Sequence, residues 1–200
     1  MIGLLQEPTI GNYDLLAIQE PWRNTISEEG YNPIQSPFHL VEKASINTRV
    51  AVYINKRIPQ GDWDVIHTSE DEITIRLRTK SEPIYIHNVY SPPISHAERQ
   101  ITPSIAKLQQ LLLANRGEHI ILGDFNLHHP LWNHPTYLQH HYIADELLDI
   151  IGEIGVNLIT PPGLATRNCQ RGPHHEKITI DLAFSTIEAI ERCEIAELLI

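Results

Sequence analysis

The sequence predicts an α+β fold in which two β-sheets lie face to face with helices flanking them, and three observations lead to it. Short strand-like apolar segments dominate, two segments of helical period separate them, and several strands follow one another through turn-rich connections. At 200 residues, 42% of them hydrophobic, the chain suits one domain with a sizeable core. Internal repeats, low-complexity tracts and linkers are absent, so a single unit over residues 1–200 is the simplest expectation.

The elements follow in chain order. Tyr13 to Gln19 is an almost continuous apolar run ending at Glu20-Pro21, the pattern of a strand buried on both faces. Arg49 to Ile54 is a second strand. Ile73, Ile75 and Leu77 alternate with Thr74, Arg76 and Arg78, the period of a half-buried strand, and a hairpin joins them to Ile84–Tyr90. From Thr102 to Asn115 the period becomes helical, through Ile105, Leu108, Leu111 and Leu112, with Pro103 in the first turn and Gly117 past the end. Ile120 to Leu122 forms a short buried strand stopped by Gly123, and Ile143 to Ile154 a second amphipathic helix. Val156–Ile159 and Ile178–Phe184 complete the strands. Asn24–Thr48 and Asn126–Tyr142 carry no periodicity and are expected as loops.

Composition excludes some functions. No apolar run reaches the roughly 18 residues that cross a bilayer, and Met1 opens no secretory leader, so an intracellular compartment and no membrane association are expected. Cys169 and Cys193 are too few for a disulfide framework and read as free thiols. A formal net charge of −10 argues against holding nucleic acid mainly by attraction to phosphates. It leaves room for a carboxylate cluster that meets phosphate through a divalent cation.

Acidic or amide residues directly after buried strands carry the chemistry, because strand ends are rigid while the loops that follow are open to substrate. Glu20 ends one such strand in L-A-I-Q-E-P, Asp124 and Asn126 follow another in I-I-L-G-D-F-N, and Asp181 stands in I-T-I-D-L-A-F. Hydrolysis of a phosphodiester needs an electrophile on the phosphoryl oxygens and an activated water, and carboxylates holding Mg²⁺ supply the first. Taken singly, a Glu before Pro or an Asp after Gly is more often a turn residue.

The four motifs together, Gln19-Glu20, N-V-Y-x-P-P at 88–93, G-D-F-N at 123–126 and I-D-L-A-F at 180–184, resemble the endonuclease/exonuclease/phosphatase superfamily in order and spacing. A-I-Q-E-P-W-R-N at 17–24, R-V-A-V-Y-I-N-K-R at 49–57 and G-D-F-N-L-H-H-P-L-W at 123–132 are similar to the endonuclease domain of non-LTR retrotransposons, and the resemblance runs from about Asn12 to Thr186. It implies a DNase I-like four-layer α/β sandwich and Mg²⁺-dependent, or Mn²⁺-dependent, nicking of DNA that leaves a 3′ hydroxyl. It also implies an association with reverse transcriptase, by fusion or by descent, and a nuclear site of action; no protein partner is evident.

By the same resemblance Glu20 is the metal ligand and Asp124 positions or deprotonates the attacking water. Asn126 contacts the scissile phosphate, Tyr90 lies near the phosphate and leaving side, and Asp181 orients an active-site histidine. Two departures qualify this. The family's opening strand, with its metal-organising asparagine, has no counterpart, since Met1–Gln6 resembles the helix after it, and the closing Ser-Asp-His triplet does not occur in the sequence. The expectation is a domain incomplete at both ends with little nuclease activity. The competing readings are a non-catalytic remnant of the fold and a phosphatase or phosphodiesterase of the same superfamily.

Among the remaining residues, Arg23, just past Glu20, and His128, His129 and Trp132, just past Asn126, are expected to line the substrate. Trp22 is a second candidate for stacking on bases. Arg49, Lys56 and Arg57 are expected in surface pairs. The histidine pairs 128–129, 140–141 and 174–175, with His134, match no zinc spacing, and 174–175 read as solvated loop.

Overall fold

The computed structural model describes residues 2–171 and 174–193, with side chains described for 4–168 and 177–193. The elements run α1 (Ile2–Gln6), β1 (Leu15–Gln19), β2 (Phe38–Val41), β3 (Val50–Asn55), β4 (Trp63–Thr68), β5 (Glu72–Leu77) and β6 (Ile84–Tyr90). They continue with α2 (Pro103–Ala114), β7 (Glu118–Asp124), α3 (Tyr142–Gly152), β8 (Asn157–Leu158), β9 (Arg167–Arg171), β10 (His174–Ile178), β11 (Asp181–Ser185) and α4 (Ile187–Arg192).

Two sheets carry the fold. One has the order β1-β3-β2 and the other β4-β5-β6-β7-β11-β8, with β9 and β10 forming a separate hairpin. Alternation along β3 decides the layers. Val50, Val52 and Ile54 point at Ile73 and Ile75 of β5, making the core between the sheets, while Ala51 and Tyr53 face Leu5, Ile10, Leu16 and Phe38 on the outside. On the far side of the larger sheet Val89, Ile121, Leu182 and Phe184 meet the apolar stripes of α2 and α3, so the chain stacks helix, sheet, sheet, helix. Helix α2 starts as its sequence requires, with Thr102 accepting from the Ile105 N–H and Pro103 in its first turn.

Several sequence expectations are corrected. Strand β1 is an edge strand and only Leu16 in it is buried, because β3 is its one neighbour. Strand β5 is covered on both faces for most of its length, since Glu72 and Thr74 lie under the helix layer. The run Ile178–Phe184 is two strands, broken at Thr179-Ile180, where Thr166 Oγ1 accepts the Ile180 and Asp181 N–H groups. The 24–48 stretch contains β2, which pairs with β3, and β4 and the β9–β10 hairpin had no clear sequence signal. His174 and His175 fall in strand β10 rather than a loop, and their side chains, like that of Cys169, lie outside the described residues; Cys193 is a free thiol. Among the described residues no helix is long and apolar enough to cross a membrane.

Two residues set how the sheets meet. Asn88, fully buried on β6, donates to the carbonyls of Ile18 on β1 (3.1 Å) and Ala51 on β3 (2.9 Å) and accepts from the Gln19 side chain. A buried amide with all three contacts made fixes the end of β1 against the end of β6. Gly123 on β7 lies opposite Val89 in the parallel β6–β7 ladder, and a Cβ there would sit 2.0 Å from the Val89 carbonyl oxygen. Gly123→Ala must push β7 off β6, so urea unfolding is expected to show a loss of about 2–3 kcal/mol.

Candidate active site

The parallel register that sets Tyr90 beside Asp124, and the antiparallel register that sets Asp124 beside Asp181, bring three functional side chains to one end of the larger sheet. The Asn88 clamp brings the end of β1 to the same place, so that the Tyr90 hydroxyl donates to Glu20 Oε1 at 3.4 Å. Glu20, Tyr90, Asp124, Asn126 and Asp181 therefore converge, as the sequence motifs require.

The backbone holds this geometry under strain. Among the described non-glycine residues, positive φ occurs at Glu20 (49°), Glu28 (58°) and Asn126 (49°), so two of the three are site residues. Such conformations persist where surrounding contacts over-determine them. Here the Glu20 N–H donates to the Arg49 carbonyl (2.8 Å) and the Asn126 N–H to Asp124 Oδ1 (3.0 Å). The Asn126 amide donates to the Ser91 carbonyl (2.9 Å), and the Ser91 N–H to the Asp124 carbonyl (2.8 Å).

The electrostatics follow from packing three carboxylates together. Burial, then Asp181 and Glu20, push the Asp124 carboxyl up to about 7, against the opposing pull of the Asn126 N–H and Arg167. Burial also raises Asp181, with Glu20 adding to the rise and Thr166 and Arg167 opposing it. Tyr90 is raised by burial and by Glu20 and Asp124, so its hydroxyl keeps its proton at neutral pH. Arg49 lies 4.8 Å from the centre of the Tyr90 ring and is paired with Asp71, which brings a cation to the rim of the site.

The residues expected to line the substrate divide. Arg23 is buried, ion-paired to Glu42 at 2.7 Å, and donates to the carbonyls of Thr48 and Glu28, so its guanidinium is engaged in anchoring the 24–48 loop. Trp132 is fully buried with its indole N–H on the Leu127 carbonyl, because the 126–142 loop has an interior of its own to fill. His128 is buried against Tyr137, whose hydroxyl is 3.2 Å from its Nε2. His129 is partly exposed and turned to His140 and Asp145. Trp22 is 48% exposed, its ring edge-on to Tyr31, and stays available to a base. Lys56 and Arg57 make structural contacts to the Ser36 carbonyl and to Asp14.

Sequence reading missed Arg167, the cation whose charge reaches both Asp124 and Asp181, and Thr166, which fixes the backbone of Asp181. Neither carried a signal, since Thr166 directly precedes β9 and Arg167 opens it, in a hairpin that the sequence did not disclose. Ser91 was within reach, as the variable position of the N-V-Y-x-P-P motif.

These features agree with known proteins. A family described as endonuclease-reverse transcriptase matches residues 84–198. The endonuclease domain of TRAS1, a telomere-specific non-LTR retrotransposon, superposes with a TM-score of 0.67 at 17% identity, covering 95% of this chain and 80% of that one. The catalytic domain of Xenopus laevis APE2 gives 0.56 at 14% identity (94% and 79% covered), and an endonuclease/exonuclease/phosphatase family protein of Leptotrichia buccalis 0.54 at 15% (90% and 79%). Comparison with curated proteins gives no match. At these identities the superpositions establish the DNase I-like sandwich alone, whereas the family match spans more than half of the chain: it belongs to the endonuclease-reverse transcriptase family of the endonuclease/exonuclease/phosphatase superfamily.

Proposed function

We propose that the protein is a divalent-metal-dependent phosphodiesterase that nicks DNA, as an endonuclease domain acting with a reverse transcriptase on chromosomal DNA in the nucleus. The observation that carries this is the convergence of Glu20 with Asp124 across two sheets, beside the Tyr90 hydroxyl. Among the described residues neither makes an ion pair. The Asp124 and Asp181 carboxyls are raised by burial first and by neighbouring carboxylates second, and a cation between them would offset both.

The donor set fits Mg²⁺ or Mn²⁺. It is all oxygen, and among the described residues no three of its ligand atoms close into a compact cage, which suits a hard cation that keeps several waters on one or two carboxylates. Glu20 would be the main ligand, and when bound the ion would draw charge from the phosphoryl oxygens. Asp124 would share the ion with Glu20 and, through its other oxygen, position the attacking water and accept its proton. The second N–H of the Asn126 amide, beyond the one spent on Ser91, is left for a non-bridging phosphate oxygen. Tyr90, still protonated, donates toward the leaving side as the bond from phosphorus to the 3′ oxygen breaks, leaving a 3′ hydroxyl. Asp181 shares the charge of the cluster and sits where an imidazole would be oriented.

Incubating supercoiled plasmid with purified protein should give nicking in Mg²⁺, none in EDTA, and none with Glu20→Gln. Nicking that survives Glu20→Gln at the wild-type rate would remove the site from the reaction.

A further inference from the structure

We infer that His129, His140 and Asp145 form a binding site for one transition-metal ion of the zinc class, apart from the acidic site, stapling the two ends of the 126–141 loop to the first turn of α3. His129 stands at the start of that loop, His140 at its end and Asp145 on the helix that follows, so ten residues lie between the histidines and no sequence spacing betrays them. The fold closes the gap, because the His141 N–H donates to the His128 carbonyl at 2.8 Å.

The donor geometry is close to what such an ion needs. His129 Nε2 lies 3.2 Å from Asp145 Oδ1, and His140 Nε2 lies 3.1 Å from Oδ1 and 3.0 Å from Oδ2, with the imidazoles edge to face at 4.9 Å. All three donors fall within 4.8 Å of one another. Four tetrahedral ligands at about 2.0–2.1 Å from an ion stand about 3.3 Å apart, so the nitrogen-to-oxygen distances are within a few tenths of an ångström of that spacing, and the two nitrogens are within 4.8 Å of each other. Two imidazoles and one carboxylate select zinc, cobalt, nickel or copper over magnesium or calcium, which prefer oxygen. The trio would carry a single negative charge, which a dication overcompensates without burying an unpaired ion.

Support behind the trio is uneven. The His129 ring rests on buried Trp132 at 5.0 Å, which fixes its plane. His129 Nδ1 accepts the Leu131 N–H (3.1 Å), so a metal on Nε2 moves the ring proton to Nδ1 and turns that N–H to water, which the exposure of Leu131 permits. His140 and Asp145 are each more than 40% exposed on their side chains, so the fourth position belongs to solvent. The site is therefore open on one side, and its effect is to tie down the loop that leaves Asp124 and Asn126.

Co²⁺ titration of the full chain tests this, because four- or five-coordinate Co²⁺ with nitrogen ligands absorbs visible light far more strongly, and at longer wavelength, than six-coordinate Co²⁺ bound by oxygen alone. Wild type should show a saturable visible band that Zn²⁺ displaces, and Zn²⁺ should raise the unfolding temperature. His140→Ala, at an exposed position that leaves the fold intact by circular dichroism, should weaken Co²⁺ binding at least about tenfold, the loss of one ligand in three. Asp145→Asn should do the same, while Glu20→Gln should leave the band unchanged. A missing band in wild type, or His140→Ala binding as tightly as wild type, would overturn the assignment. So would a band that follows Glu20 instead.

Discussion

Glu72→Gln is expected to stabilise the protein far more at about pH 8 than at about pH 5, with a difference of roughly 3 kcal/mol between the two. Glu72 starts β5 under the helix layer, is 1% exposed, and among the described residues neither of its carboxyl oxygens has a hydrogen-bond partner. Burial pushes the carboxyl up to about 8 from 4.5, with Lys107 opposing the rise, so the folded protein keeps a proton that the unfolded chain gives up. A group that binds more protons folded than unfolded loses stability as pH rises, here between about 4.5 and 8. Buried histidines run the other way. His87 and His119, bonded to each other at 3.1 Å, and His67 are all lowered by burial, so they cost stability only as pH falls through about 6.5. Above that pH the buried carboxyls dominate, and comparison of wild type with Glu72→Gln isolates Glu72 from Asp124 and Asp181. Paired urea melts of wild type and Glu72→Gln across this range should diverge steadily with pH; parallel curves would show that Glu72 is ionised or solvated in the folded protein.

Asp124→Asn should separate stability from function. The asparagine keeps an oxygen for the Asn126 N–H and removes a carboxylate held near 7 by burial and by Asp181 and Glu20. In the absence of metal the variant is expected to be more stable than wild type by about 2–3 kcal/mol at about pH 8, since the wild type there ionises a crowded, partly desolvated group. Loss of the base should at the same time abolish whatever nicking the wild type shows, a contribution of about 10²–10⁴. Mg²⁺ should raise the melting temperature of wild type and leave that of the variant nearly unmoved, because only a ligand that binds the folded state stabilises it. An Asp124→Asn protein less stable than wild type without metal would mean that Asp124 holds the fold together instead of straining it.

How far the sequence discloses this molecule depends on whether a residue's fate is settled locally. Glu20 and Asp124 follow apolar strands, and a polar residue at a rigid strand end meets solvent at one end of a sheet whatever the topology, so both were legible. Gly123 read as a stop, whereas β7 runs through it to Asp124, and the reason for the glycine, the Val89 carbonyl, comes from a neighbouring strand. The burial of Glu72 was not legible, because alternation with Ile73 and Ile75 marks it as outward-facing, and only α2 folding over that face makes outward mean buried. Arg23 and Trp132 misled for a related reason. Proximity to a motif in sequence says nothing about whether the loop that follows must use its large side chains to fill itself. His129, His140 and Asp145 meet through loop closure, which leaves no periodic trace.

Everything proposed about catalysis rests on Glu20 and Asp124 sharing one cation. Titrating Mg²⁺ into the protein while following the side-chain carboxyl carbons of both residues by NMR tests that directly. The expected result is that the two signals move together along one binding curve while the Asp124 titration midpoint drops from about 7 toward the ordinary carboxylate range. Signals that respond at different Mg²⁺ concentrations, or an Asp124 midpoint that saturating Mg²⁺ leaves in place, would contradict it.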